Sequence, residues 1–377
     1  MPLILSVGET LFWFGSVFWY SALLLPCPIN ARRDKIDYLK RNLHIFIQKR
    51  LAMIALKKNP NKNFVILNLT DIQLSFEEFD KNHRACKILD YTVNTLIERT
   101  HPDLITICGD LCSENEDEGY NAFAEFFDEL GIPWAPIFGN HDNMSPPEFL
   151  DKIADRFLTH PLCIFEKGDR EMGNGNFVVE IEENGKTVSA LIMADAHEVT
   201  PFTDENGDTK YSYETFWSKQ FDWYREQIEA LKNKGCKDST LILHTPLFAY
   251  RDAAKAAYKN SVDLKTMTWE ESLTQKVWNE NFKDSCGLYK DDICAPVFDD
   301  GVFMLLKELG HTKNVIAGHD HKNNFIINYN GINLAYATKT GIGCYYDKDI
   351  NGGTILEIGS NGVERIYQEL VDMTSFL

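Results

Sequence analysis

The 377-residue chain is short of cations: 38 Lys and Arg stand against 56 Asp and Glu, a formal net charge of -18. That deficit argues against a nucleic-acid binder, whose affinity comes largely from neutralising phosphates with Lys and Arg. No CxxC pair occurs among the nine scattered cysteines, a pattern of free, partly buried thiols and not of a disulfide framework. One bridge, Cys286 with Cys294, is left open. Internal repeats, low-complexity tracts and collagen-like periodicity are missing. At 44% hydrophobic and 25% charged the composition also lacks the signature of disorder. Only the first turns of the chain approach membrane-spanning length, which excludes a polytopic membrane protein. The length allows one large domain or two smaller ones. An acidic chain that handles anionic substrates needs a local positive centre, and a bound metal supplies one.

Charge is unevenly spread. Between Ala31 and Asn63 ten Lys or Arg face two Asp, a net of +8. Just before this stretch, Leu11 to Leu25 is apolar and aromatic, and with Leu3 to Val7 it nears spanning length, interrupted by Glu9. No Lys or Arg precedes it, which weakens a signal-peptide reading. Arg32, Arg33 and Lys35 follow it, so by the positive-inside tendency the downstream domain stays cytoplasmic. The segment is read as membrane-associated; the alternatives are a helix packed on the domain or lying in the membrane interface, and a soluble cytoplasmic or secreted protein. Asp34 to Lys58 reads as a basic amphipathic helix, suited to anionic lipid or to a solvated face.

From Asn63 the pattern alternates. Phe64 to Leu69, Asp103 to Cys108 and Pro133 to Phe138 are short apolar runs of buried-strand type, separated by helical stretches Arg84 to Arg99 and Ala122 to Leu130. Strand, helix, strand, helix, strand implies a βαβ core with parallel strands. Further on, Phe177 to Ile181 and Thr187 to Ala194 read as a hairpin around Asn184-Gly185. Phe216 to Leu231 and Val302 to Leu309 read as helices, Thr240 to Leu243 and Asn314 to Ala317 as strands. Tyr250 to Phe298 reads as an irregular insertion over the site.

Polar clusters close five of these strands: Asp71-x-Gln73, Gly109-Asp110, Gly139-Asn140-His141-Asp142, His244-Thr-Pro246 and Gly318-His319-Asp320-His321. In open α/β sheets ligands bind at the carboxyl ends of strands. Carboxylate with imidazole suits Mn, Fe or Zn in an open, water-bearing site. Two Asp with several His supply donors for two metals, which clamp a phosphate and generate a hydroxide at neutral pH. Singly each cluster is weak; the five in order point to metal-assisted phosphoester hydrolysis.

The chain here resembles the calcineurin-like metallophosphoesterase superfamily, whose motifs run D-x-H, GD, GNH[DE], H and GHxH. Phe216-Trp-Ser-Lys-Gln-Phe-Asp-Trp-Tyr, Gly287 through Phe303, and Lys339-Thr-Gly-Ile-Gly are similar to a small single-domain branch related to the purple acid phosphatases. The resemblance covers Phe64 to about Arg365. It implies a four-layer α/β/β/α sandwich, two mixed β-sheets flanked by helices. It implies two divalent ions (Mn, Fe or Zn, with Mg allowed), the first held by Asp71, Gln73, Asp110 and His321. Asp110, Asn140, His244 and His319 hold the second, with Asp110 bridging and His141 near the leaving oxygen. The chain then divides into a hydrophobic segment over 1–30, a basic helical linker over 31–62 and a metallophosphoesterase domain over 63–377 with an insertion near 250–298. Two departures matter. Gln73 stands where the family has His, a weaker and harder ligand. Ser113 stands where purple acid phosphatases carry their iron-bound Tyr, so no purple colour is expected.

The first expectation is a phosphomonoesterase acting on a phosphorylated small molecule or protein. Alternatives are a phosphodiesterase or diphosphatase of the same fold, acting on nucleotide or phospholipid-type substrates, and a catalytically silent scaffold. Asp142 and Asp320 are expected as orienting or turn residues, since ligating imidazoles need an acceptor. His197 is expected at the rim, and His83, His101, His160 and His311 at the surface or in packing.

Overall fold

The computed structural model describes residues 5–7, 10–12, 54–259, 267–274 and 277–376. Two compact units divide the chain, Met1–Met53 and Ile54–Leu377. In the first, Leu5–Val7 and Thr10–Phe12 form an antiparallel pair with Leu5 opposite Phe12. The remainder of the apolar segment, and the basic stretch as far as residue 53, lie outside the described residues. Among the described residues no helix is long and apolar enough to cross a membrane.

Two sheets build the second unit. In the five-stranded sheet, Phe64–Leu69, Leu104–Cys108 and Trp134–Ile137 run parallel, and the antiparallel Gly352–Gly359 joins Phe64–Leu69 to the edge strand Gly362–Leu370. The seven-stranded sheet runs in the order Ile326–Tyr329, Ile332–Tyr336, Thr312–Ala317, Ser239–Ile242, Lys186–Met193, Phe177–Glu183, Ile54–Lys57. Alternation along its strands assigns its two faces. Leu191, Met193, Ile242 and Ile316 join the core shared with the five-stranded sheet. Their neighbours Ala190, Ile192, Leu241, Leu243, Val315 and Ala317 join a second core under Tyr224, Ile228, Leu231, Val302 and Leu306. Helices Ser218–Asn233 and Val302–Leu309 supply those residues. On the far side, Arg84–Thr100 buries Ile88, Leu89, Val93 and Leu96 at helical spacing against the first sheet. The result is the expected α/β/β/α sandwich.

Two local readings need correcting. Ile54–Lys57, placed by sequence in the basic helix, is an edge strand running parallel to Phe177–Glu183, with Ile54 opposite Val179. Its apolar residues alternate, and a four-residue IALK stretch fits either period. The segment read as irregular is in part core. Helix Ala249–Ala257 buries Tyr250, Ala253 and Ala254, and Trp278 is likewise buried. Every cysteine among the described residues is a free thiol, Cys286 and Cys294 included.

Candidate metal centre

The five motif loops leave the carboxyl ends of strands from both sheets and meet between them. Four of the expected ligands hold left-handed backbones: Asp71 at φ 54°, Gln73 at 45°, Asp110 at 51° and His319 at 81°. Such conformations cost non-glycine residues about 1–3 kcal/mol each and persist only where the surroundings impose them. Motif glycines impose them here by permitting close approach. A Cβ on Gly139 would lie 2.1 Å from Asp110 Oδ1, and one on Gly318 would lie 2.1 Å from Thr70 Oγ1. Gly109 has φ +84°, and its Cβ would fall 2.5 Å from His244 Nδ1.

Asp110 stands at the centre. Its Oδ1 accepts from the His141 amide at 3.0 Å and lies 3.3 Å from His244 Nε2, while Oδ2 accepts from Gln73 Nε2 at 2.9 Å. Asp71 Oδ2 accepts from the Thr70 hydroxyl at 2.7 Å and the His319 amide at 3.0 Å, and Oδ1 lies 3.2 Å from His321 Nε2. Asn140 Oδ1 is 3.1 Å from His244 Nε2. One donor atom each from Asp71, Asp110 and His244 falls within a 4.8 Å sphere of mutual distance.

The imidazoles are aimed by their outer nitrogens. His244 Nδ1 pairs with the Cys108 carbonyl at 2.7 Å, and His321 Nδ1 with the Tyr345 carbonyl at 2.7 Å. Fixing Nδ1 as the donor turns both Nε2 atoms toward the site, the usual way a protein orients a ligating histidine. His321 also stacks on Tyr345 at 4.0 Å, and His319 packs edge-on against Tyr213 at 4.4 Å and His244 at 5.2 Å.

The field follows from that crowding. Burial alone would raise the Asp71 carboxyl, but His321, His244 and Lys339 outweigh it and hold it well below the usual carboxylate range. Asp110 is lowered similarly, burial being overcome chiefly by His244. Burial opposes a charged His244, yet Asp110 and Asp71 prevail and push it up to about 10. His319, penalised by burial and by His244, falls to about 3. Two buried carboxylates therefore draw positive charge to their midpoint, as a cation site does.

The donor set fits divalent cations. Besides carboxylates and imidazoles it holds the Gln73 amide oxygen, buried and without a hydrogen-bond partner among the described residues. Orphaned buried acceptors are rare and call for an ion or a water.

Every expected ligand lies in this cluster. His141 sits at its mouth, its side chain 51% exposed and Nε2 3.9 Å from Asp110 Oδ2. Asp142 is an organiser: its carboxylate accepts from Gly139 N at 2.7 Å, Leu111 N at 3.2 Å and Tyr120 OH at 2.6 Å, tying two motif loops together. Burial, with the Asp110 charge, pushes it up to about 7. Asp320 accepts from Cys294 N and Tyr336 OH, fixing the last motif. His197 differs from expectation. It is buried, stacked on Trp217 at 3.8 Å and paired with Gln220 at 2.7 Å, so it braces the fold and does not line the rim. Lys339, buried, donates to the Asp71 carbonyl and locks that left-handed turn. Arg251 is spent on the carbonyls of Ile293, Ala295 and Pro296. The roles of Tyr213, Tyr345 and Lys339 depend on contacts across 24 residues or more, a range at which sequence carries no local signal. His83 and His101 cap the Arg84–Thr100 helix, while His160 and His311 pair with Asp128 and Ser239.

The model of the calcineurin-like phosphoesterase family matches residues 64–323, and the chain belongs to that family. It is 26% identical over 325 residues to "Probable inactive purple acid phosphatase 14" of Arabidopsis thaliana, spanning 76% of this chain and 72% of that protein. "Probable inactive purple acid phosphatase 28" of the same plant is 23% identical over 81% of this chain and 79% of its own. Among solved structures, a dimetal phosphatase from Danio rerio aligns with a TM-score of 0.47 and 12% identity, over 81% of this chain and 98% of that one.

Proposed function

We propose that the chain hydrolyses phosphate monoesters at a dinuclear divalent-metal centre. Asp71, Gln73 and His321 would hold one ion, Asn140, His244 and His319 the other, and Asp110 would bridge them. When bound, the ions supply Lewis acidity at the phosphoryl oxygens and a water acidic enough to attack near neutral pH. The amide of Gln73 favours a hard ion such as Mn or Mg in the first position. His141 carries the proton for the leaving oxygen: its backbone is pinned to Asp110 while its ring reaches solvent. Asp142, by holding Gly139 and Leu111, keeps that ring in place.

The observation that carries this reading is the convergence of donors from five strand ends around a buried amide oxygen that no group among the described residues satisfies. The substrate is a phosphorylated small molecule or protein, and membrane association would come from the apolar segment before residue 30. Chelation followed by reconstitution with Mn, Mg, Zn or Fe, and assay on a chromogenic monoester and its diester, tests the proposal. A monoester kcat/KM well above the diester value is expected. A diester preference would replace the monoesterase with a phosphodiesterase, and no turnover with any metal would leave the silent fold that the names of the plant relatives describe for those proteins.

A further inference from the structure

A hairpin that the fold does not need for its core reaches the metal centre. Its strands Val199–Thr203 and Thr209–Tyr213 pair with each other and with no other strand among the described residues. Residues two apart on a strand share a face, as do direct cross-strand partners. One face therefore carries Phe202, Lys210 and Ser212. It is anchored: Phe202 packs edge-on against Phe298 at 5.3 Å, and Ser212 Oγ accepts from Val297 N at 2.9 Å. The opposite face carries Tyr213 and Tyr211, with Val199 and Pro201 across from them. Tyr213 touches the ring of His319, and Tyr211, one step outward, is 66% exposed.

An aromatic row thus starts on an expected metal ligand and runs into solvent. Glu198 and Glu214 join the hairpin to the body, their backbones paired at 3.1 Å.

We propose that the Tyr213–Tyr211 face is the leaving-group subsite and that it selects aryl phosphates, esters whose planar ring is bonded directly to the ester oxygen. The inference rests on the phosphomonoesterase reading above. With Tyr213 in contact with a metal-centre imidazole, stacking begins at the first group beyond the ester oxygen. A ring placed there offers its face to Tyr213 and then Tyr211, and aromatic stacking of this kind is tolerant of ring identity.

The test compares kcat/KM for 2-naphthyl phosphate and glycerol 2-phosphate on the metal-reconstituted full chain. Wild type, Tyr211→Ala and Tyr211→Phe are measured beside Tyr91→Ala, which removes an exposed ring on the outer helix Arg84–Thr100. The naphthyl-to-glycerol ratio should fall about tenfold in Tyr211→Ala, return in Tyr211→Phe and stay unchanged in Tyr91→Ala. A merely structural Tyr211 would lower both esters together, and an unmoved ratio overturns the subsite while leaving the phosphomonoesterase reading intact. Fluorescence titration of 2-naphthyl phosphate separates the two ideas if no ester turns over. Weaker binding by Tyr211→Ala would then uphold the subsite although the hydrolase reading had failed, and equal binding would overturn it.

Discussion

A methyl group on Gly139 would meet both Asp110 Oδ1 and, at 2.3 Å, the Asp110 amide nitrogen. Backbone and carboxylate would both have to move, so Gly139→Ala should cost about 1–3 kcal/mol and displace the central ligand. Thermal melts and metal content after dialysis should both fall; unchanged metal content would mean that Asp110 is not where the ion sits. At Gln73 the expectation runs the other way. An imidazole in place of the amide should tighten the first position and shift preference toward Zn, read by competition with a chelating dye. No change in affinity would place Gln73 outside the metal's reach. The expected ligands were legible because each motif sets a distinctive polar side chain at the end of an apolar strand run, three of them beside a glycine. His197 was not, since its partners Trp217 and Gln220 lie 20 and 23 residues away in sequence.

Among the elements, the helix Val302–Leu309 begins beside an uncomfortable group. Asp300 Oδ1 accepts from Val302 N at 3.1 Å, but Oδ2 is buried with no partner among the described residues. Burial pushes this carboxyl up to about 6, against about 3.9 in an unfolded chain. The folded state therefore binds the proton more tightly. Its stabilising contribution is present below about pH 4 and is lost as pH rises through about 6. Asp300→Asn should remove that loss, so urea unfolding at pH 4.5 and pH 7 should differ by about 2 kcal/mol less in the variant than in wild type. Equal pH dependence would show that Asp300 ionises freely. The core elements were readable from periodicity, since buried parallel strands appear as apolar runs and Arg84–Thr100 repeats every three or four residues. The outlying hairpin was not. Val199–Thr203 contains Pro201, and its partner Thr209–Tyr213 is mostly exposed, so neither shows a hydrophobic strand pattern.

At the scale of the whole molecule, two sheets are brought together by one shared core, and their strand ends supply a single site from both sides. Cations bound there would stabilise only the folded state, because the expected ligands are dispersed along the unfolded chain. Saturating Mn should therefore raise the melting temperature of chelated protein, each bound ion adding about 2.7 kcal/mol of stability at one hundred times its Kd. A melting temperature indifferent to Mn and chelator would argue against a preformed site. The acidic surface, net -18 overall, also predicts that metal association slows as salt screens the attraction. The most direct measurement is the metal stoichiometry of the full chain after equilibration with Mn and removal of excess, for wild type and Asp110→Ala. Two ions per wild-type chain and a sharp loss in the still-folded variant are expected; wild-type protein that retains none, or a variant that retains both, would contradict the dinuclear centre.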